Sequence, residues 1–178
     1  MNAKNKLGEL VSELSRTHIE LWNAEDLARS GIDENVVKAK RRIDGLNQKR
    51  NDLIERIDET VLESVPASRK KTAARKDTTM AETVGWLTDK LIIAELKISH
   101  HEQQLLRKDA DESHRELCLG RLTVLRRQRD DLKEELTWLS GEILKGNVRP
   151  RVYRQFKTYN DKRFMPKANT STAAEKKG

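Results

Sequence analysis

The sequence predicts an all-α protein: an elongated four-helix bundle made of two antiparallel helical hairpins, with a basic, aromatic C-terminal segment folded back on it. Apolar residues recur every three or four positions through four long segments, which is the period of an α-helix. Charged residues make up 37% and hydrophobic residues 35% of the 178 residues, so each helix can bury only a narrow stripe. Short polar turns join the first segment to the second and the third to the fourth, which predicts two hairpins.

The first two helices are predicted over roughly residues 5–29 and 34–63. The Ser30-Gly31 pair ends the first, since glycine favours the backbone conformation that follows a helix. Asp33 is a suitable N-cap for the second, because its carboxylate can accept from free N–H groups of the first turn.

A loop is predicted over residues 64–78, where Pro66 and the basic stretch 69–76 interrupt the apolar period. Thr79 and Glu82 have capping-box spacing, which predicts that the third helix begins there. The fourth helix is predicted over roughly residues 112–145, with Gly146-Asn147 at its end.

Residues 1–166 are expected to form one domain, with the segment 147–166 as its C-terminal part. Residues 167–178 have little apolar character and are expected to be a disordered tail. The chain's three Trp residues are expected to pack in the core or to close a bundle end: Trp22, Trp86 and Trp138.

All four Tyr and Phe residues lie in residues 149–164, a stretch with six Arg or Lys and one acid. The predicted helices carry no Tyr or Phe, so this concentration points to a binding role. Together with the basic loop, it places the +7 net charge in two segments that can attract an anionic partner.

Several classes of protein are disfavoured. The one cysteine, Cys118, excludes an internal disulfide and any site with several Cys ligands. No Glu-x-x-His pair is present, so no di-iron bundle, metal or other cofactor is indicated. No apolar run is long enough to span a membrane, and the N-terminus does not read as a signal peptide. We therefore expect a cytoplasmic protein, which can lie at the inner membrane surface.

Two polar residues interrupt the apolar stripe of the second helix, Asn47 and Arg50. An inward-facing guanidinium needs a carboxylate or solvent, because a buried charge without a partner is costly. The candidate partners are Glu25, Asp26, Asp89 and Glu95. Such a layer sets the register of the helices or forms an anion or sugar site, and the sequence leaves both open.

Three segments resemble a known bacterial family: IELWNAEDLAR with KAKRRIDGLNQKRNDLIERIDE, WLTDKLIIAELKISH, and YRQFKTYNDKRFMP. Their order and spacing are similar to the family catalogued as domain of unknown function 4254, over roughly residues 7–166. The resemblance implies an all-helical fold without an assigned activity. It also implies genes placed near glycosyltransferases of lipopolysaccharide or polysaccharide assembly, which is an association rather than a mechanism.

The family's recurrent polar positions, together with the aromatic cluster, give the predicted binding residues. They are Trp22, Glu25, Asp26, Asn47, Arg50, Asp89, Tyr153, Phe156, Lys157, Tyr159, Asn160 and Asp161. No catalytic residue is assigned. The YND part of the last segment is expected to fold onto the bundle end and to complete the site.

Three functions remain open. The favoured one is a non-catalytic accessory protein that docks a glycosyltransferase or another protein, or the anionic inner membrane surface. The second is an enzyme or a binding site for a phosphorylated sugar or nucleotide-sugar at the bundle end. The third is nucleic-acid binding by the basic and aromatic cluster. A homo-oligomer is compatible with each of them.

Overall fold

The computed structural model describes residues 3–30, 32–65 and 81–156, and within these ranges it contains four α-helices and no strand. They are α1 (Ala3–Ala28), α2 (Asp33–Ser64), α3 (Val84–Leu105) and α4 (Glu112–Lys145). α1 packs along α2, and α3 packs along α4. The predicted all-helical fold with two hairpins is confirmed.

Most helix ends follow the local signals. Asp111 is the N-cap of α4, and its carboxylate accepts from the backbone N–H of His114 at 2.7 Å. α4 ends at Gly146, whose φ of 82° lies in the left-handed region that glycine adopts without strain. α1 ends and α4 begins within a residue of the predicted positions. The predicted N-cap of α2 is wrong: the helix already includes Asp33, its N-cap is Ile32, and no side chain caps it. Asp33 lies instead in the first turn, where its negative charge interacts favourably with the helix dipole.

The predicted start of α3 is wrong. The helix begins at Val84 with Thr83 as its N-cap, and Glu82 precedes the helix instead of lying in its first turn. The Thr83 hydroxyl accepts from the backbone N–H of Trp86 at 3.2 Å. The physical reason is a tertiary contact: a buried carboxylate on α2, Asp58, holds Thr83 and the first turn of α3. Thr79 lies outside the described residues.

The core lies where the N-terminal half of α3 meets the other three helices. It is built from Leu and Ile, with these side chains nearly or fully buried: Leu10, Leu14, Leu53, Ile54, Ile57, Leu87, Leu139 and Ile143. α3 lies close to all three other helices, whereas among the described helices α4 lies close only to α3. The second hairpin therefore packs against the first mainly through α3.

This arrangement leaves part of α4 uncovered. Leu117, Leu119 and Val124 are exposed large apolar residues on it. Trp138 is 50% exposed, so the expectation that it packs in the core or closes a bundle end is wrong. Trp22 and Trp86 are half-buried, and Trp86 packs against the core.

The C-terminal segment folds back over α2 as far as it is described. Val148 packs against the core. Arg154 forms ion pairs with Glu55 at 2.8 Å and Glu59 at 2.6 Å, and the backbone N–H of Gln155 donates to Glu55 at 2.6 Å. The predicted loop and tail lie outside the described residues, except for the loop's first two positions, Ser64 and Val65.

Candidate functional site

A buried carboxylate joins three helices at the centre of the molecule. Asp89 on α3 is completely buried. Its Oδ1 pairs with Nε2 of His18 from α1 and with Nε of Arg50 from α2, each at 2.7 Å. The second Arg50 contact, from Nη2 to Oδ2, measures 2.5 Å. Of the four carboxylates that the sequence offered to Arg50, the fold selects Asp89.

Burial raises the pKa of Asp89, because the charged form loses its hydration. The hydrogen bonds from Arg50 and His18 outweigh this and hold the pKa of Asp89 below its ordinary value. The same bond to Asp89 raises the pKa of the Arg50 guanidinium. Arg50 and Asp89 are therefore a charged pair at neutral pH, with His18 as the third member.

This layer is satisfied within the protein. Among the described residues, every buried side-chain nitrogen or oxygen has a hydrogen-bond partner. The Arg50 side chain is 23% exposed, so only part of the guanidinium remains in contact with solvent. The arrangement holds α1, α2 and α3 in register, which is the structural interpretation that the sequence left open.

A second buried acid, Asp58, was missed by the sequence analysis. It is 3% exposed and accepts from the Thr83 hydroxyl at 2.6 Å and from the Gly85 backbone N–H at 2.7 Å. Burial raises the pKa of Asp58 to about 6, although these two hydrogen bonds act in the opposite direction. The available signal was its position, since Asp58 lies four residues after Ile54 on the apolar stripe.

Gly85 allows this contact. A Cβ added there would lie 2.5 Å from the backbone oxygen of Ile54 and 2.9 Å from Oδ1 of Asp58. The absence of a side chain therefore permits α3 to begin directly against α2.

An open cleft of about 240 Å³ lies between α1, α2 and α3, beside the buried layer. Its apolar lining residues are Leu21, Trp22, Ile93 and Leu96, and its polar lining residues are His18, Glu25, Arg29 and Asn47. The ring centroid of Trp22 lies 4.8 Å from that of His100.

The predicted binding residues fall into separate groups. Trp22, Glu25 and Asn47 line the cleft, and the Arg50–Asp89 pair borders it through His18. Asp26 does not line the cleft and pairs with Arg29 at 2.8 Å on the surface.

The C-terminal group is anchored to a different part of α2. Tyr153 is half-buried, while Phe156 is 84% exposed. Glu55 and Glu59, which anchor this segment, were not predicted from the sequence. The expected contribution of the YND residues concerns positions outside the described ranges: Lys157, Tyr159, Asn160 and Asp161.

Three further observations concern a buried thiol, metal binding and membrane spans. The buried thiol of Cys118 lies 3.6 Å from Nε2 of His114, one helical turn earlier. Within residues 3–30, 32–65 and 81–156, no three His, Cys, Asp or Glu residues are grouped to hold a metal ion. None of the described helices is long and apolar enough to cross a membrane.

These features define a class: an all-helical protein with a buried ion-pair layer, a cleft beside it and an anchored C-terminal segment. Residues 8–152 match the family described as protein of unknown function, DUF4254. The match covers most of the chain, so the chain belongs to this family, and the resemblance is confirmed over these residues. The third resembling segment, residues 153–166, lies beyond the match. No curated protein and no solved structure matches it.

Proposed function

We propose that this protein is a non-catalytic accessory protein, which docks a protein partner through its C-terminal segment. The observation that carries the proposal is the position of Phe156. This aromatic side chain is 84% exposed, two residues beyond Arg154, which fixes the segment to Glu55 and Glu59. An aromatic side chain held outward on an anchored segment suits the centre of a protein–protein interface.

The state of the buried ionisable groups supports a non-catalytic role. Asp89, Arg50 and His18 are bonded to one another, and Asp58 is bonded to the start of α3. A general acid or base must reach the proton that it transfers, with a pKa suited to that task. The pKa of Asp58, about 6, would suit such a group, but its carboxyl is buried and already holds structural hydrogen bonds to the start of α3.

The proposed partner is a glycosyltransferase of cell-envelope polysaccharide or lipopolysaccharide assembly, and the proposed location is the cytoplasm, beside the inner membrane. The link to this pathway rests on the family resemblance alone. The exposed Arg149 and the bound Arg154 give the segment a basic character that suits an acidic partner surface. Homo-oligomerisation stays a prediction, which sedimentation of the full chain would test.

The test is capture of purified glycosyltransferases, encoded beside the gene, by the full chain and by Phe156→Ala. Loss of a central aromatic anchor should weaken binding by roughly thirtyfold. Leu119→Ala is the matched control, because it also removes an exposed apolar side chain, from α4.

Three outcomes would count against a protein partner. Equal capture by the unchanged chain and by Phe156→Ala would exclude the Phe156 surface as the docking site. The unchanged chain could instead float with anionic vesicles, and loss of that flotation in Phe156→Ala would assign the segment to membrane binding. A salt-sensitive gel shift of single-stranded nucleic acid that Phe156→Ala abolishes would assign it to nucleic-acid binding.

A further inference from the structure

The cleft between α1, α2 and α3 has the composition of a small-ligand site. Its apolar lining includes the half-buried Trp22 with Ile93 and Leu96. Its polar lining includes the Asn47 carboxamide and the Glu25 carboxylate. Ligand sites typically combine such an apolar lining with a few polar groups that fix orientation.

Two polar groups in this cleft have free hydrogen-bonding capacity. None of the side-chain hydrogen bonds within the described residues uses the Asn47 carboxamide or the indole N–H of Trp22. A carboxamide offers two donors and an acceptor, and the indole offers one donor. In contrast, Nε2 of the neighbouring His18 is already bonded to Asp89 at 2.7 Å.

The charges around the cleft argue for a neutral ligand. Arg29 is the cation that lines it, and this side chain pairs with Glu25 at 3.9 Å and with Asp26 at 2.8 Å. Arg50 is already paired with Asp89. The lining therefore lacks the surplus positive charge that binds phosphate groups.

The size of the cleft limits the ligand. Its volume of about 240 Å³ lies below the range of roughly 300–1,000 Å³ that is usual for drug-sized ligands. A single six-membered ring with several hydroxyls fits this description. Its C–H face can pack on the Trp22 ring, while its hydroxyls meet groups that both donate and accept hydrogen bonds.

We propose that the cleft binds a small, neutral, polyhydroxylated ring of the hexopyranoside type, with Trp22 as the stacking surface and Asn47 and Glu25 as its hydrogen-bonding groups. No bond is made or broken in this proposal. The site is separate from the Phe156 surface, so either proposal can fail without the other.

The test uses ¹⁹F NMR of the full chain labelled with fluorotryptophan. The three Trp residues give three signals, and Trp22→Phe assigns the one from the cleft. Titration with methyl hexopyranosides should shift the Trp22 signal saturably and leave those of Trp86 and Trp138 in place. Hexose phosphates and tetramethylammonium are the comparison probes, for an anionic and a cationic ligand.

Asn47→Ala should weaken glycoside binding about three- to tenfold, which corresponds to one hydrogen bond. Asn147→Ala is the control, because Asn147 bonds to Glu142 at the far end of α4. Glu25→Gln is a second variant at an exposed position, in case Asn47→Ala fails to fold. No saturable Trp22 shift with any neutral glycoside, or tighter binding of either charged probe, would overturn the proposal.

Discussion

The guanidinium of Arg50 donates to both oxygens of Asp89, which lies 39 residues away in the chain. This two-point ion pair joins α2 to α3, and His18 brings α1 to the same carboxylate. One buried acid thus fixes the relative positions of three helices, beside the cleft and next to the core.

Asp89→Asn is expected to lower the free energy of unfolding by about 3 kcal/mol, because it leaves the largely buried Arg50 without its counter-charge. Urea denaturation measures this change. Asp44→Asn is the matched control, since it breaks the exposed pair with Lys40 and should cost less than about 1 kcal/mol. Equal losses in the two variants would show that the buried pair adds no more stability than the exposed one.

The stability from Asp89 should disappear in acid. Its pKa is raised by burial but lowered more by Arg50 and His18, so the folded pKa lies below the ordinary value of 3.8. The stabilisation is therefore complete above that value and is lost as the pH falls through the folded pKa. The difference in unfolding free energy between wild type and Asp89→Asn should stay constant near neutral pH and shrink below about pH 4.

Asp58 should show the opposite dependence on pH. Its folded pKa of about 6 lies above its ordinary value of 3.8, so the folded state binds this proton more tightly than the unfolded state. Stability at this group therefore rises as the pH falls from about 8 to about 5, by roughly 1–2 kcal/mol. Urea denaturation of wild type relative to Asp58→Asn at several pH values measures it, and a difference that is flat or rises with pH would contradict it.

Gly85→Ala is expected to destabilise the protein by about 1–3 kcal/mol. The new methyl group would collide with the Ile54 carbonyl, a backbone atom that moves only if α3 separates from α2. Gly45→Ala is the control on α2, where nothing lies within 4 Å of the added carbon. It should stabilise by up to about 1 kcal/mol, because alanine is the better helix former. Thermal unfolding distinguishes the two signs, and a neutral Gly85→Ala would refute the close contact.

Arg154→Ala should release the C-terminal segment from α2. The variant loses both ion pairs to Glu55 and Glu59, so the Gln155 amide should exchange faster and trypsin should cut sooner after Arg151. Arg126→Ala, which breaks the exposed pair with Glu102, is the control and should change neither rate. Equal protection in the two variants would indicate that other contacts hold the segment.

The helices could be predicted from sequence because their signals are local. Apolar spacing identified four segments, and Gly146 identified the end of α4 from neighbouring residues alone. Trp22, Glu25 and Asn47 were predicted as binding residues, and the structure places all three on one cleft, while their binding role stays a prediction. Helical spacing identified Asn47, and the family resemblance added Trp22.

The contacts between helices could not be predicted, because they depend on how far each helix is rotated and shifted against its neighbours, which no local pattern encodes. Helical period placed Arg50 on an inner face, but only packing selected Asp89 from four acids. Asp58 moved the start of α3 to Val84, and the same packing left Trp138 exposed. The sequence by itself determined which helices form, and the tertiary structure decided which side chains meet, because each such contact joins residues that are distant in the chain.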